Sequence, residues 1–559
     1  MRRIVFTTLL VALSSSWLSA QPTVYTGGVV NADSLVPVGL PSASIAPGSI
    51  FSIFGTNLGP AKSPGLSFPL QTMLGGTSIQ VTSGGTAVDA IPLFVGPGQI
   101  NALLPSKTPA GNATLIVTTS AGASSATAFS VVAHSFGINS VNQSGSGPGI
   151  VDDHNYKLVT LNSAAQAGDV VIIWGTGLGA VTGDEEAGPL PGNQPNIPVK
   201  VYVGIKPATI TYQGRSGCCA GVDQIAVEVP AGVTGCYVPI AVQIGDIVSN
   251  WVTASIAAPG ANRVCSDSNG LSASQLAAIE KVGSGSFGSI NLDRTSTTET
   301  LPPPIGTGSP ETTTTDSGSA SFFKYTSTQL VASASPFQIT AIGTCFVFDF
   351  SAHNTAFPNP VVSTPLDAGK PLTVKGLNGS QQLAKIMKGL YSETLGGGSG
   401  ANILPLYLDA GSYTVTGTGG ADVGPFTADL TLPPALTWTN ESSVDTVTRA
   451  RGQLITWSGG DPSGTVVVSG DSIQLGSDPD GSDSVGGFFI CTAPDSAGQF
   501  TIPVPVLLSL PPSSVDPDLP IPFGSLSVGI SQYGAFTAKG IDVGIISSSA
   551  STSKGVAYQ

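Results

Sequence analysis

Apolar positions along this chain come in short runs. Ile50 to Phe54, Thr114 to Thr118, Val170 to Trp174, Val199 to Val203, Tyr413 to Thr416 and Thr465 to Val468 are apolar or alternating, and each is closed by Gly, Pro, Asn or Asp. Such punctuation predicts β-strands almost throughout, and hence an all-β chain of sandwich-like units. Ile50 to Phe54 and Val170 to Trp174 are nearly continuous in apolar character, which predicts strands covered on both faces. Each stops at a Gly-Thr step, where Gly55 or Gly175 is expected to supply a positive φ. One helix is predicted over Ser274 to Val282, with Leu276, Ile279 and Val282 on one side and Gly283 as the stop. Gln381 to Tyr391 also fits a helical period, but its β-rich surroundings favour strand.

The pattern occurs twice. APGSIFSIFGTNLG (Ala46 to Gly59) returns as QAGDVVIIWGTGLG (Gln166 to Gly179), and FVGPGQINALLP (Phe94 to Pro105) returns as CAGVDQIAVEVP (Cys219 to Pro230). Order and spacing survive, so Gly55 corresponds to Gly175, Gln99 to Gln224 and Pro105 to Pro230. Each copy is long enough to bury its own core, unlike a solenoid repeat. The expected organisation is a module over 21–133, a second over 134–260, a short helix and linker over 261–320, and sandwich-like units over 321–435 and 436–559. The linker is read from Thr, Ser and Pro runs between Gly283 and Ser321 that offer little apolar surface. Pro433-Pro434 marks the weaker boundary between the last two units.

The amino terminus suggests the compartment. Arg2 and Arg3 precede an apolar stretch to Leu13, and Leu18-Ser19-Ala20 has the small-x-small pattern of a signal-peptidase site, so 1–20 is expected to be a removable secretory signal. No later segment predicts a membrane span. A secreted, periplasmic or cell-surface location follows.

Composition narrows the partners. Charged residues make up 10%, and 20 Lys and Arg face 34 Asp and Glu for a net charge of −14. With no basic run beyond the first residues, nucleic acid is excluded as a partner. The acidity reads as a solvated exported surface.

Six cysteines agree with an oxidising compartment. Cys218, Cys219, Cys236 and Cys265 lie in or just after the second repeat. Adjacent Cys218 and Cys219 are disfavoured as a pair by geometry, so each is expected to reach Cys236 or Cys265. Zinc would need a spacing such as C-x-x-C, which is absent. Cys345 and Cys491 are either a long-range pair or two buried thiols.

The paired GTNLG and GTGLG steps, the GPGQIN and GVDQI motifs ending in Pro105 and Pro230, and VSNWVTASIA (Val248 to Ala257) resemble the Ig-like IPT/TIG-type modules found in tandem in exported acidobacterial proteins, including the Solibacter-type uncharacterised domain family. The resemblance covers about Ser42 to Ala258. It implies that the Gly-Thr step ends an early strand and that the Gln-Ile segment belongs to a buried strand before a proline-marked turn. The first copy lacks the cysteines of the second, so disulfides there read as local reinforcement. Residues beyond Gly260 are similar to carboxy-terminal halves of such proteins, with no activity implied.

Catalytic constellations are sparse. His134, His154 and His353 form no H-E-x-x-H motif, and neither a G-x-S-x-G elbow nor a phosphate loop occurs. No cofactor motif is present. Asp478, Asp480 and Asp483 surround Gly481 in a short loop, an arrangement of hard oxygen donors that suits calcium, though an acidic turn is the simpler reading. Asp184, Glu185 and Glu186 form a second acidic cluster. Trp174, Trp251, Trp438 and Trp457 lie in strand-like runs. Trp174, aligned with Phe54, is expected in the core, while Trp438 and Trp457 are freer to stack on sugars.

Three functions remain. The leading one is non-catalytic recognition or adhesion at the cell surface, with an extracellular glycan or a surface protein as partner. The second is a surface-layer or filament component that self-associates through strand edges. The third is a polysaccharide- or peptide-acting enzyme with its chemistry in the carboxy-terminal half.

Overall fold

A computed structural model describes residues 20–260, 262–267, 272–300, 308–326, 329, 341–351, 363–398, 403–476, 483–515 and 521–559. The described residues are nearly all β, arranged in several sheets. Of the expected signal segment 1–20, residues 1–19 lie outside them.

The first module is built on Ile50–Thr56, which pairs antiparallel with Thr23–Asn31 on one side and Gln99–Leu103 on the other. Phe51, Ile53, Ile100 and Ala102 are fully buried. Burying one such large side chain contributes about 1.5–3 kcal/mol. Strand Thr86–Val95 turns the corner of the sandwich. Its first half pairs with Thr77–Ser83 and its second with Gln99–Leu103, across a bulge between Pro92 and Phe94.

The second module repeats the plan as two facing sheets. Val170–Thr176 pairs with Asp223–Glu228, which pairs with Thr209–Arg215. Val199–Val203, Gly235–Ile244 and Val252–Ile256 form the other layer. Ile173, Ile225 and Val227 meet Val201, Val238 and Ile240 between them.

Beyond it, helix Ala273–Val282 is observed close to its predicted span. Ser272 and Gln275 cap it reciprocally: the Gln275 N–H donates to Ser272 Oγ at 3.3 Å and the Ser272 N–H to Gln275 Oε1 at 3.0 Å. Gln381 to Tyr391 is strand, in Gly379–Met387 and Leu390–Gly397.

The expected linker is corrected. Ser284–Glu299 and Glu311–Thr326 are paired strands of 16 residues each, and they lie in the middle of a 13-stranded sheet. On one flank the hairpin meets Val543–Gly555, in parallel, then Gly524–Phe536, Thr465–Gln474, Val485–Pro494 and Cys345–Ser351. On the other it meets Leu390–Gly397, followed by strands out to Phe426–Leu432. Strands from both sides of the expected 435/436 boundary thus share one sheet. Composition misled because Thr is a strong strand former and these strands bury one face only. Ile290, Leu292, Ala320 and Phe322 point into the core, whereas Ser289 and Ser321 pair through their hydroxyls at 3.1 Å.

The parts are joined by buried contacts. The Trp251 indole N–H donates to Ser509 Oγ at 2.9 Å. Cys236, Tyr237 and Cys265 pack with Ile279, Phe287, Val543 and Ile545. Val36 and Leu40 of the first module reach Val485 of the large sheet.

Candidate recognition site

The outer face of Val170–Thr176 carries an aromatic pair, Trp174 with Tyr156, that is partly open to solvent. Ile172 and Trp174 alternate outward there while Ile173 fills the core. Trp174 is therefore half-buried, a correction to its expected place in the core. Its counterpart Phe54 is buried, because Val30 and Leu35 cover that face in the first module. Among the described residues Trp174 belongs to no such buried cluster. Tyr156 leans against it instead in a tilted ring contact, with ring centroids 6.2 Å apart and an interplanar angle of 44°.

Tyr156 is 63% exposed and its φ is 61°. A bulky residue in the left-handed region is uncommon and is held only by surrounding bonds. Those bonds come from the turn Asp153 to Lys157. Asp153 Oδ1 accepts the N–H groups of Asn155 at 2.7 Å and Lys157 at 3.0 Å, and the Tyr156 N–H donates to the Asp153 carbonyl at 3.0 Å. The Lys157 N–H leads the groups that hold the Asp153 carboxyl below its usual range. The Trp174 ring is fixed in turn by its indole N–H, which donates to Asp152 Oδ2 at 2.9 Å. Asp152 stands opposite Ile172 on the neighbouring strand.

Tyr212 extends the face. It pairs with Ala226, which pairs with Ile172, so the three share one side of the sheet. Its hydroxyl donates to the Arg215 carbonyl at 3.1 Å. Burial raises its pKa, with smaller contributions from Asp223 and Tyr156. Gln224 lies across from Trp174, and exposed Glu228 ends the same face. Aromatic faces bordered by Asp152, Gln224 and Glu228 combine apolar stacking with hydroxyl-accepting groups.

The repeated residues act as scaffold. Gln99 and Gln224 are half-buried and stand across from Phe54 and Trp174, so they face away from the core that Ile100 and Ile225 fill. Pro105 is buried and its carbonyl accepts the Thr108 N–H at 2.9 Å, closing a turn; Pro230 is half-buried. Gly55 and Gly175 do not adopt positive φ. They are glycine because a Cβ would overlap the carbonyl oxygens of Thr23 and Gly137, where a neighbouring strand passes close.

The junction between the modules holds the buried charge. Arg215 and Asp223 form an ion pair at 3.2 Å, both inaccessible, and Asp223 Oδ2 accepts the N–H groups of Gly177 and Leu178. Burial pushes the Asp223 carboxyl up to about 6, against the pull of Arg215 and those two donors. Burial and the charge of Asp223 push Asp33 up to about 7. Asn31 Nδ2 bridges the carbonyls of Ser135 and Thr176 at 3.1 and 3.2 Å, and Thr176 Oγ1 accepts the Ile50 N–H at 2.9 Å. Of the acidic cluster, Glu185 takes both the N–H and the hydroxyl of Ser106 at 2.8 Å. That group is a clamp between modules.

The cysteine pairing is partly corrected. Cys236 bonds to Cys265 and Cys345 to Cys491, while Cys218 and Cys219 are free and exposed. Both lie in the loop between Thr209–Arg215 and Asp223–Glu228. Asp478 and Asp480 lie outside the described residues, as does His353; Asp483 is described. Among the described residues no three His, Cys, Asp or Glu converge as a metal site. Trp251, Trp438 and Trp457 are all core. Tyr156, Tyr212 and Asp152 were missed by the sequence reading. The available signal was an aromatic at the tip of a polar turn, VDDHNYK.

No family model matches the chain, and neither does any curated protein. Among solved structures, it is similar to a tetra-tandem repeat from the extending region of a large adhesion protein, at 14% identity over 96% of this chain and 98% of that one, TM-score 0.13. It is also similar to the titin Ig tandem A164–A165, at 9% identity over 39% and 91%, TM-score 0.12. Against the plexin A4 extracellular region identity is 14%, coverage 44% of this chain and 19% of that one, and the TM-score 0.16, so the chain spans about a fifth of that neighbour's length. The all-β fold class rests on this chain's own sheets.

Proposed function

We propose that this chain is an exported recognition protein of the IPT/TIG-like kind that binds glycan on the outer face of its second module. The observation that carries the reading is Tyr156, exposed, held at positive φ and in tilted ring contact with a Trp174 that is itself locked by Asp152. Preorganised aromatic surface costs little entropy to use, and flanking acceptors suit sugar hydroxyls. Two buried disulfides support an oxidising location.

Retention of the full chain on a panel of soluble and insoluble polysaccharides tests this. Wild type is expected to be retained on at least one polymer without releasing product, and Tyr156→Ala to lose about tenfold in affinity, as removal of roughly 1.4 kcal/mol of stacking would give. Equal retention of wild type and Tyr156→Ala, or release of oligosaccharide, would sink the proposal.

A further inference from the structure

Two carboxylates meet at one end of the large sheet. Strand Thr465–Gln474 opens at Thr465, which pairs with Pro494 on one side and with Ser531 on the other. The residues just past that row are therefore neighbours: Gly464, which closes the turn 459–464, Asp495 after Pro494, and Gln532 after Ser531. Hydrogen bonds tie them. The Asp495 N–H donates to the Gly464 carbonyl at 3.0 Å, the Gly464 N–H to the Asp461 carbonyl at 2.7 Å, and Gln532 Nε2 to Asp461 Oδ2 at 3.1 Å. Gly460 has a φ of 78°, and a Cβ there would stand 2.8 Å from Asp495 Oδ2, so the turn that carries Asp461 lies directly against the Asp495 carboxylate.

The two acids differ in what meets them. Asp461 Oδ1 accepts the N–H and the hydroxyl of Ser463 at 2.9 and 2.8 Å, which fixes its orientation. Asp495 is 5% exposed, and its Oδ1, shut off from solvent, accepts no hydrogen bond. A buried acceptor left in that state is rare, and a bound ion is one of the few things that account for it. Among the described residues neither acid forms an ion pair with Lys or Arg.

The donors select the ion. Carboxylate, carbonyl and amide oxygens are hard bases and favour a hard cation, and two carboxylates match the charge of a divalent one. The donors come from two loops rather than one rigid element, which suits the irregular oxygen shell of calcium better than the strict octahedron of magnesium. We propose that Asp461 and Asp495 hold a divalent cation of the calcium class between the turn 459–464 and the loop that follows Val485–Pro494. The cation meets the unpartnered Oδ1 of Asp495 and completes its shell with backbone carbonyls and water. It ties together the ends of Gln453–Gly459, Thr465–Gln474 and Val485–Pro494.

Trp457 supplies a local reporter, because its indole N–H donates to the Asp495 carbonyl at 2.9 Å. In the test, the full chain is stripped with EDTA and titrated with calcium by calorimetry, then with terbium while its emission is read under tryptophan excitation. Wild type is expected to bind calcium, to melt at a higher temperature with it, and to show terbium emission that calcium displaces. Asp461→Asn and Asp495→Asn are each expected to weaken calcium binding about tenfold or more, since affinity follows the charge of the ligands. Trp457→Phe is expected to remove most of the sensitised emission. Asp461 lies in a turn rather than in the core, so its variant keeps the test valid if Asp495→Asn fails to fold. The proposal is overturned if wild type binds no calcium, if Asp461→Asn binds it as tightly as wild type, or if terbium binds without tryptophan-sensitised emission.

Discussion

At the scale of single residues, close backbone approach governs the repeat. Gly175 sits where a Cβ would meet the Gly137 carbonyl and the Phe136 ring. Gly175→Ala is accordingly expected to destabilise by about 3 kcal/mol, read as a shift in urea midpoint. A substitution at Gly188, where a Cβ meets open space, serves as the control. Buried carboxyls give a pH signature. Asp223 and Asp33 hold their protons in the folded chain up to about 6 and about 7, while in the unfolded chain they lose them in the ordinary carboxylate range. The folded chain therefore binds more protons over that window, and stability falls as pH rises through it. Melting temperature is expected to drop from about pH 4 to about pH 7, and Asp33→Asn to flatten that decline. An unchanged slope in Asp33→Asn would show that Asp33 is not a source.

At the scale of elements, alternation was legible wherever a strand buries large apolar side chains. Ile50–Thr56, Val170–Thr176 and Thr465–Gln474 were found at or near their expected places. It failed for Ser284–Glu299 and Glu311–Thr326, whose outward face is Ser and Thr and whose inward face is short. It also failed for the outer face of Val170–Thr176, because Trp174 and Phe54 align yet differ in what covers them. Cover is a tertiary property that the local pattern does not carry. The disulfides tie elements distant in sequence. Cys345 and Cys491 are 146 residues apart and Cys236 and Cys265 are 29 apart. Loop entropy gives about 5 kcal/mol for the first closure and somewhat over 3 for the second. Removing the first pair by Cys345→Ala with Cys491→Ala should therefore lower the thermal midpoint more than removing the second.

At the scale of the whole molecule, the modules are not independent beads. Buried polar contacts cross each junction, and an unmet buried acceptor costs about 1–3 kcal/mol. Asn31→Ala leaves the Ser135 and Thr176 carbonyls without their side-chain donor. Wild type is expected to unfold in one calorimetric transition, and Asn31→Ala to split the first module off as an earlier one. Two separate transitions in wild type would refute the coupling.

The parallel pairing of Val543–Gly555 with Ser284–Glu299 has a consequence for biogenesis. A chain that emerges from the ribosome amino end first presents both amino-terminal modules early. The middle of the large sheet then waits, one edge open, until Val543–Gly555 has emerged. Its completion is late, long-range and slow, since distant pairing must meet its entropy cost before it is rewarded. The hydroxyl-rich surface of Ser284–Glu299 and Glu311–Thr326 leaves that waiting hairpin well hydrated, which shields it from neighbouring nascent chains until its partner arrives.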